Sequence, residues 1–90
     1  MIYEWDENKR KTNLEKHGLD FVLAKLIINS PDMYDVIDDR FDYGEERHLA
    51  YARINEVYLC LCYVPKTKDL IRVISLRFAH KKEWKKLKWQ

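Results

Sequence analysis

Lys9, Asn13 and Lys16 or His17 stand at i, i+4 and i+7 or i+8, which is one face of a helix. A second group comes late in the chain, where Arg72 and Arg77 precede His80, Lys81 and Lys82. Guanidinium forks match phosphate oxygens and stay charged, ammonium groups add compact positive charge, and an imidazole exchanges protons near neutral pH. Side chains of these types can hold a phosphate and move protons beside it without a bound ion. Arg77, Arg72, His17 and Lys9 are the candidates for the chemistry. Lys16, Asn13, Arg47, His80, Lys81 and Lys82 are the candidates for gripping a polyanionic backbone.

Each candidate also has a structural use. His17 precedes Gly18, so it can simply meet the dipole at a helix C-terminus. Arg47 follows the Tyr43-Gly44-Glu45 turn and can pair with local acids, as can Arg40. In a regular strand Arg72 and Arg77, five apart, point to opposite faces, and they share one phosphate only if the strand ends or bulges near Leu76. Glu83 can orient an arginine, although pairing with a lysine one helical turn away is the expected use. Trp84 and Leu87 have core spacing, which favours packing of Trp84 over base stacking. Trp89 is a second stacking candidate.

Acids are concentrated elsewhere. Asp32 to Glu46 holds seven acids and one base, whereas Arg77 to Gln90 holds six Lys or Arg and one Glu. The acidic stretch would repel a phosphate, and it offers no close carboxylate pair of the kind a two-metal site needs. His17, His48 and His80 lack the paired spacing of zinc ligands. Cys60 and Cys62 share one side of a strand, where they cannot bridge one another, and are read as reduced buried thiols. No metal or other cofactor is expected.

The elements that must carry these residues follow from periodicity. Ile2 to Trp5 reads as a first strand, and Asp6 caps a polar helix that runs to His17 and stops at Gly18. Asp20 caps a second helix through Asn29, apolar on most sides and therefore laid on a sheet, and Asn29-Ser30-Pro31 ends it. Strands are expected over Tyr34–Asp39, Arg47–Ile54, Val57–Val64 and Leu70–Leu76, joined as antiparallel neighbours. Val57–Val64 is apolar on both parities, so it should be central. A basic helix begins near His80. The expected fold is a single α+β domain over residues 1–90, in the order βααββββα.

Ninety residues leave room for one core, and 47% hydrophobic composition with 3 Trp, 6 Tyr and 3 Phe suffices to fill it. The longest apolar runs are far shorter than the roughly 18–20 residues that cross a bilayer. The N-terminus shows no secretory pattern, so the cytoplasm is the expected location.

Four blocks, in order, resemble the BrnT-type toxins, also called the DUF497 family. They are Trp5-Asp6-Glu7-Asn8-Lys9, Asn13-Leu14-Glu15-Lys16-His17-Gly18, Asp42-Tyr43-Gly44-Glu45-Glu46-Arg47 and Ile71-Arg72-Val73-Ile74-Ser75-Leu76-Arg77. Any one block would be weak, but the four at these separations are specific. The chain departs from the pattern at His48, Ala52 and Leu87, where members often carry Trp, Gly and Tyr.

The resemblance implies a RelE-like ribonuclease fold, RNA cleavage that arrests translation, and neutralisation by a BrnA-type antitoxin with a ribbon-helix-helix DNA-binding segment. Promoter DNA would then be met only through the antitoxin. Two alternatives remain open: a module that binds nucleic acid without cutting it, and a degenerate toxin that only binds its antitoxin.

Overall fold

The computed structural model describes residues 1–86, and the readings placed on Leu87 and Trp89 lie outside them. A three-residue strand, β1 (Ile2–Glu4), leads into helix α1 (Glu7–His17). Asp6 caps α1 by accepting hydrogen bonds from the backbone N–H groups of Asn8 and Lys9, and Gly18 closes it in the left-handed conformation at φ +70°. Both ends thus fall where capping chemistry puts them.

The expected second helix is broken in two. A single 3-10 turn, Phe21–Leu23, is capped by Asp20, and α2 (Ala24–Ile28) follows. Strands β2 (Tyr34–Ile37), β3 (His48–Ile54), β4 (Val57–Thr67) and β5 (Leu70–Phe78) then make an antiparallel meander, and α3 (Lys81–Lys86) closes the described chain.

The sheet order is β1-β5-β4-β3-β2, so the doubly apolar β4 is indeed the central strand. The expected antiparallel sheet gains one parallel pair, because β1 adds alongside β5 with Ile2, Tyr3 and Glu4 opposite Leu70, Ile71 and Arg72. That pairing stops at Arg72, so the rest of β5 has no strand on its outer side, and α1 takes that place.

One face of the sheet is covered. Phe21, Ala24 and Ile27 pack on Ala50, Ala52, Leu59, Leu61, Val73 and Leu76. The other face carries a smaller cluster of Leu49, Tyr51, Cys60 and Cys62, with Val36, Ile74 and Ala79 against it. Both thiols are free and buried on that second face, as their spacing predicts.

Candidate active site

Helix α1 buries little of itself: its one large aliphatic residue, Leu14, is exposed. Polar contacts hold it instead. The Asn13 amide donates to the carbonyls of Leu19 (2.9 Å) and Leu76 (2.8 Å), and its oxygen accepts from Leu76 N–H at 3.0 Å. The Asn13 side chain therefore pairs with the open edge of β5 as a strand backbone would. This corrects the reading of Asn13 as a contact for RNA. It is buried and its amide is fully engaged.

Between α1 and β5 lies a cleft of about 390 Å³ lined by Asn8, Lys9, Thr12, Asn13, Lys16, His17, Ile74 and Ser75. Lys9, Lys16 and His17 thus meet on one wall, as the helical spacing requires, and no carboxylate lines the cleft. Thr12 and Ser75 add hydroxyls and Asn8 an amide. The sequence reading missed these three. Asn8 and Thr12 stand four apart beside the cationic stripe, which was a usable signal, whereas Ser75 needed the fold.

The two late arginines share a face after all. β5 bulges at Ile74, since Cys62 pairs with Ser75 while the next residue, Tyr63, pairs with Val73. Val73 and Leu76 both enter the helix-covered core, so Arg72 and Arg77 both point to the opposite face. They do not converge. Their partners on β4, Val64 and Cys60, are four residues apart, about 14 Å along a strand. Arg72 sits loosely beside Glu4 at 3.9 Å.

Arg77 instead leans on α3. Its Nη1 donates to Glu83 Oε1 (2.7 Å) and its Nη2 to Glu83 Oε2 (3.0 Å). The same carboxylate accepts from Tyr51 Oη at 2.5 Å and from His80 N–H at 2.8 Å. Burial works to raise the Glu83 pKa, but Arg77 and Tyr51 outweigh it and hold the group near about 2. The Arg77 guanidinium is correspondingly fixed in its charged form by Glu83. Beneath it, burial pushes the Cys60 thiol up to about 11, which leaves it protonated and unreactive at neutral pH. The expected surface pairing of Glu83 with a lysine is therefore corrected, because the carboxylate turns inward to orient Arg77.

Ser75 lines the cleft and Arg77 is two residues on, hence on the same side of β5 and about 7 Å away. The cationic cleft and the Arg77–Glu83 pair therefore adjoin one another. His80, Lys81 and Lys82 begin the segment that carries Glu83. None of these three lines the cleft.

Arg47 stands apart. Its Nε donates to Glu45 at 3.1 Å and its guanidinium lies 4.2 Å from the Tyr43 ring centroid, fixing the loop before β3. Arg40 likewise forks onto the buried Asp38, which also accepts from Tyr43 Oη. His48 is held between Asp35 (2.9 Å) and Glu46 (2.8 Å), on β3 beside the edge strand β2 and far from α1. Among the described residues no three His, Cys, Asp or Glu side chains gather as a metal set.

Comparison with known proteins agrees with the fold. Residues 5–83 match the family described as "Ribonuclease toxin, BrnT, of type II toxin-antitoxin system". The crystal structure of the Brucella abortus ribonuclease toxin BrnT is similar at a TM-score of 0.64 and 26% identity, covering 90% of this chain and 100% of that one. No curated protein matches the sequence.

Proposed function

The chain belongs to the BrnT family of ribonuclease toxins of type II toxin-antitoxin systems, and from that premise we propose that it is a metal-independent endoribonuclease whose substrate lies in the cleft between α1 and β5. The observation that carries this reading is the gathering of Lys9, Lys16 and His17 in one cleft without a carboxylate. Its antitoxin is a BrnA-type protein that blocks this surface. It carries a ribbon-helix-helix segment, through which the pair meets its promoter.

The reaction asks for little beyond what these side chains provide. The ribose 2′-oxygen attacks phosphorus and loses its proton, the bond from phosphorus to the 5′-oxygen breaks, and that oxygen takes up a proton. The products are a 2′,3′-cyclic phosphate and a 5′-hydroxyl. His17 accepts the 2′-proton, while an ammonium of Lys9 or Lys16 protonates the departing oxygen and steadies the equatorial phosphate oxygens. Ser75 lies on the side of β5 that carries Arg77, and the uncompensated charges of Lys9 and Lys16 draw RNA to the cleft.

A second reading, RNA binding without cleavage, is favoured by one observation. Both terminal nitrogens of Arg77 are already engaged by Glu83, so this guanidinium is not free to fork onto a phosphate. Incubation of labelled RNA with purified protein in chelator separates the two readings, and induced expression in a growth-arrest assay tests the cleft. Cleavage predicts that Lys9→Ala and His17→Ala each relieve arrest while the protein stays folded and still binds its antitoxin. Undiminished arrest by both variants would remove the cleft from the mechanism.

A further inference from the structure

His80, Lys81 and Lys82 lie outside the cleft, and helix α3 gives the two lysines a different setting. Its inner side is spent on anchoring. Glu83 turns in to Arg77 and Tyr51, and the Trp84 ring stacks on Tyr58 with centroids 4.6 Å apart. The remaining residues, Lys81, Lys82, Lys85 and Lys86, are all exposed. Among the described residues none of the four pairs with an acid.

This placement works against the helix itself. Lys81 and Lys82 occupy the first turn, where the helix dipole disfavours cations. Lys81 and Lys85, and likewise Lys82 and Lys86, stand four apart, so each pair repels across one turn. A merely solvated helix face interleaves acids with its bases, whereas the one acid of α3 faces the other way. A polyanion laid along the lysines relieves all of these repulsions at once.

The strand register sets α3 beside the cleft. Ser75 pairs with Cys62 and Arg77 with Cys60, and both thiols lie on the face of the sheet turned away from α2. Tyr51, which Glu83 reaches, belongs to the same face. From Ser75 in the cleft to Phe78, where β5 ends, is about 10 Å along the strand. Helix α3 starts three residues later.

We propose that the lysine-bearing side of α3 is a second contact for the backbone of substrate RNA, reached by nucleotides beyond those held in the cleft. This rests on the ribonuclease reading above and adds a length requirement to it. A dinucleotide has one phosphodiester, which the cleft occupies, and none left for α3. Lysine contacts of this kind give affinity without sequence preference and weaken with salt.

The test uses the full chain with two substrates, a dinucleotide and an unstructured RNA of about 20 nucleotides. For the Lys81→Gln/Lys82→Gln/Lys85→Gln variant, kcat/KM on the longer RNA should fall about tenfold relative to the dinucleotide. Binding is read with 2′-O-methyl RNA of the same sequence, which has no free 2′-hydroxyl and is not cut. There the slope of log affinity against log salt should drop by about 2. The corresponding triple arginine variant keeps the charge and should keep both values. An unchanged ratio and an unchanged slope would overturn the proposal. So would weaker binding of the cognate antitoxin with both RNA readouts as in the native protein, which assigns the lysines to that partner. Failure of the ribonuclease reading looks different, since the native protein then cuts neither RNA while the salt slope still reports on α3.

Discussion

Asn13 has two amide hydrogens and one carbonyl oxygen, and the fold uses all of them on the backbone at Leu19 and Leu76. From helical spacing alone it belongs with Lys9 and Lys16, because periodicity reports which residues share a face and not which are buried. Asn13→Ala is expected to cost roughly 2–3 kcal/mol in urea unfolding, since buried backbone groups lose their only partner. Lys9→Ala should change stability by less than about 0.5 kcal/mol.

Glu83 makes a second residue-scale prediction. Its folded pKa, about 2, lies below the ordinary 4.5, so its contribution to stability is complete above 4.5 and is lost as pH falls from there toward 2. Urea unfolding across that window should show a loss in the native protein that Glu83→Gln lacks. The same pairing makes Arg77→Ala a compound change, because it strands a half-buried carboxylate. Arg77→Lys keeps the charge and reports function more cleanly.

At the scale of elements, the sequence made α1 and β4 plain and left β1 and the bulge obscure. The caps Asp6 and Gly18 and the double-parity apolar run of β4 are local signals that the structure obeys. Nothing within three residues of β1 states which strand it will join, so its parallel pairing with β5 was not legible. The bulge at Ile74 carries no glycine to announce it, yet it decides that Arg72 and Arg77 share a face. β4 also continues through Pro65 to Thr67, past the end expected at Val64. Beyond Tyr63 it has only β5 beside it, so the missing N–H of Pro65 can face away from a partner. Glu83 was half legible: it accepts from His80 N–H as the third residue of a capping box does, but its grip on Arg77 needed the fold.

Two predictions belong to elements. The β3–β4 turn holds Asn55 at φ 48° and Glu56 at φ 66°, a two-residue hairpin geometry in which glycine suits the second position better. Glu56→Gly should therefore stabilise by about 0.5–1 kcal/mol in thermal or urea unfolding. His48 ties β3 to β2 and to the preceding loop through Asp35 and Glu46. Burial opposes its protonation, but the two carboxylates outweigh burial and raise its pKa above 6.5. Its contribution is thus complete below 6.5 and disappears as pH rises through the raised value. Native protein should lose stability over that alkaline-going window, and His48→Gln should not.

Across the whole molecule, charge is sorted by the sheet. The acid-rich stretch from Asp32 to Glu46 contains β2 and its following loop, on the edge opposite α1. The cleft between α1 and β5, which no carboxylate lines, lies at the other edge. A polyanion is steered to one side of a molecule whose net charge is only +2, which a sum over the sequence conceals. Among the described residues no helix is long and apolar enough to cross a membrane. The sequence held the charge asymmetry in full. The placement of its two poles came from the strand order, which no residue type encodes alone.

The most direct measurement is single-turnover cleavage of a labelled RNA by purified protein in excess chelator, with the product ends identified by mass spectrometry and His17→Ala run alongside. The native protein should leave 2′,3′-cyclic phosphate and 5′-hydroxyl ends, and the variant should cut at least about 100-fold more slowly. Ends bearing a 5′-phosphate, activity abolished by chelator, or equal rates for the two proteins would contradict it.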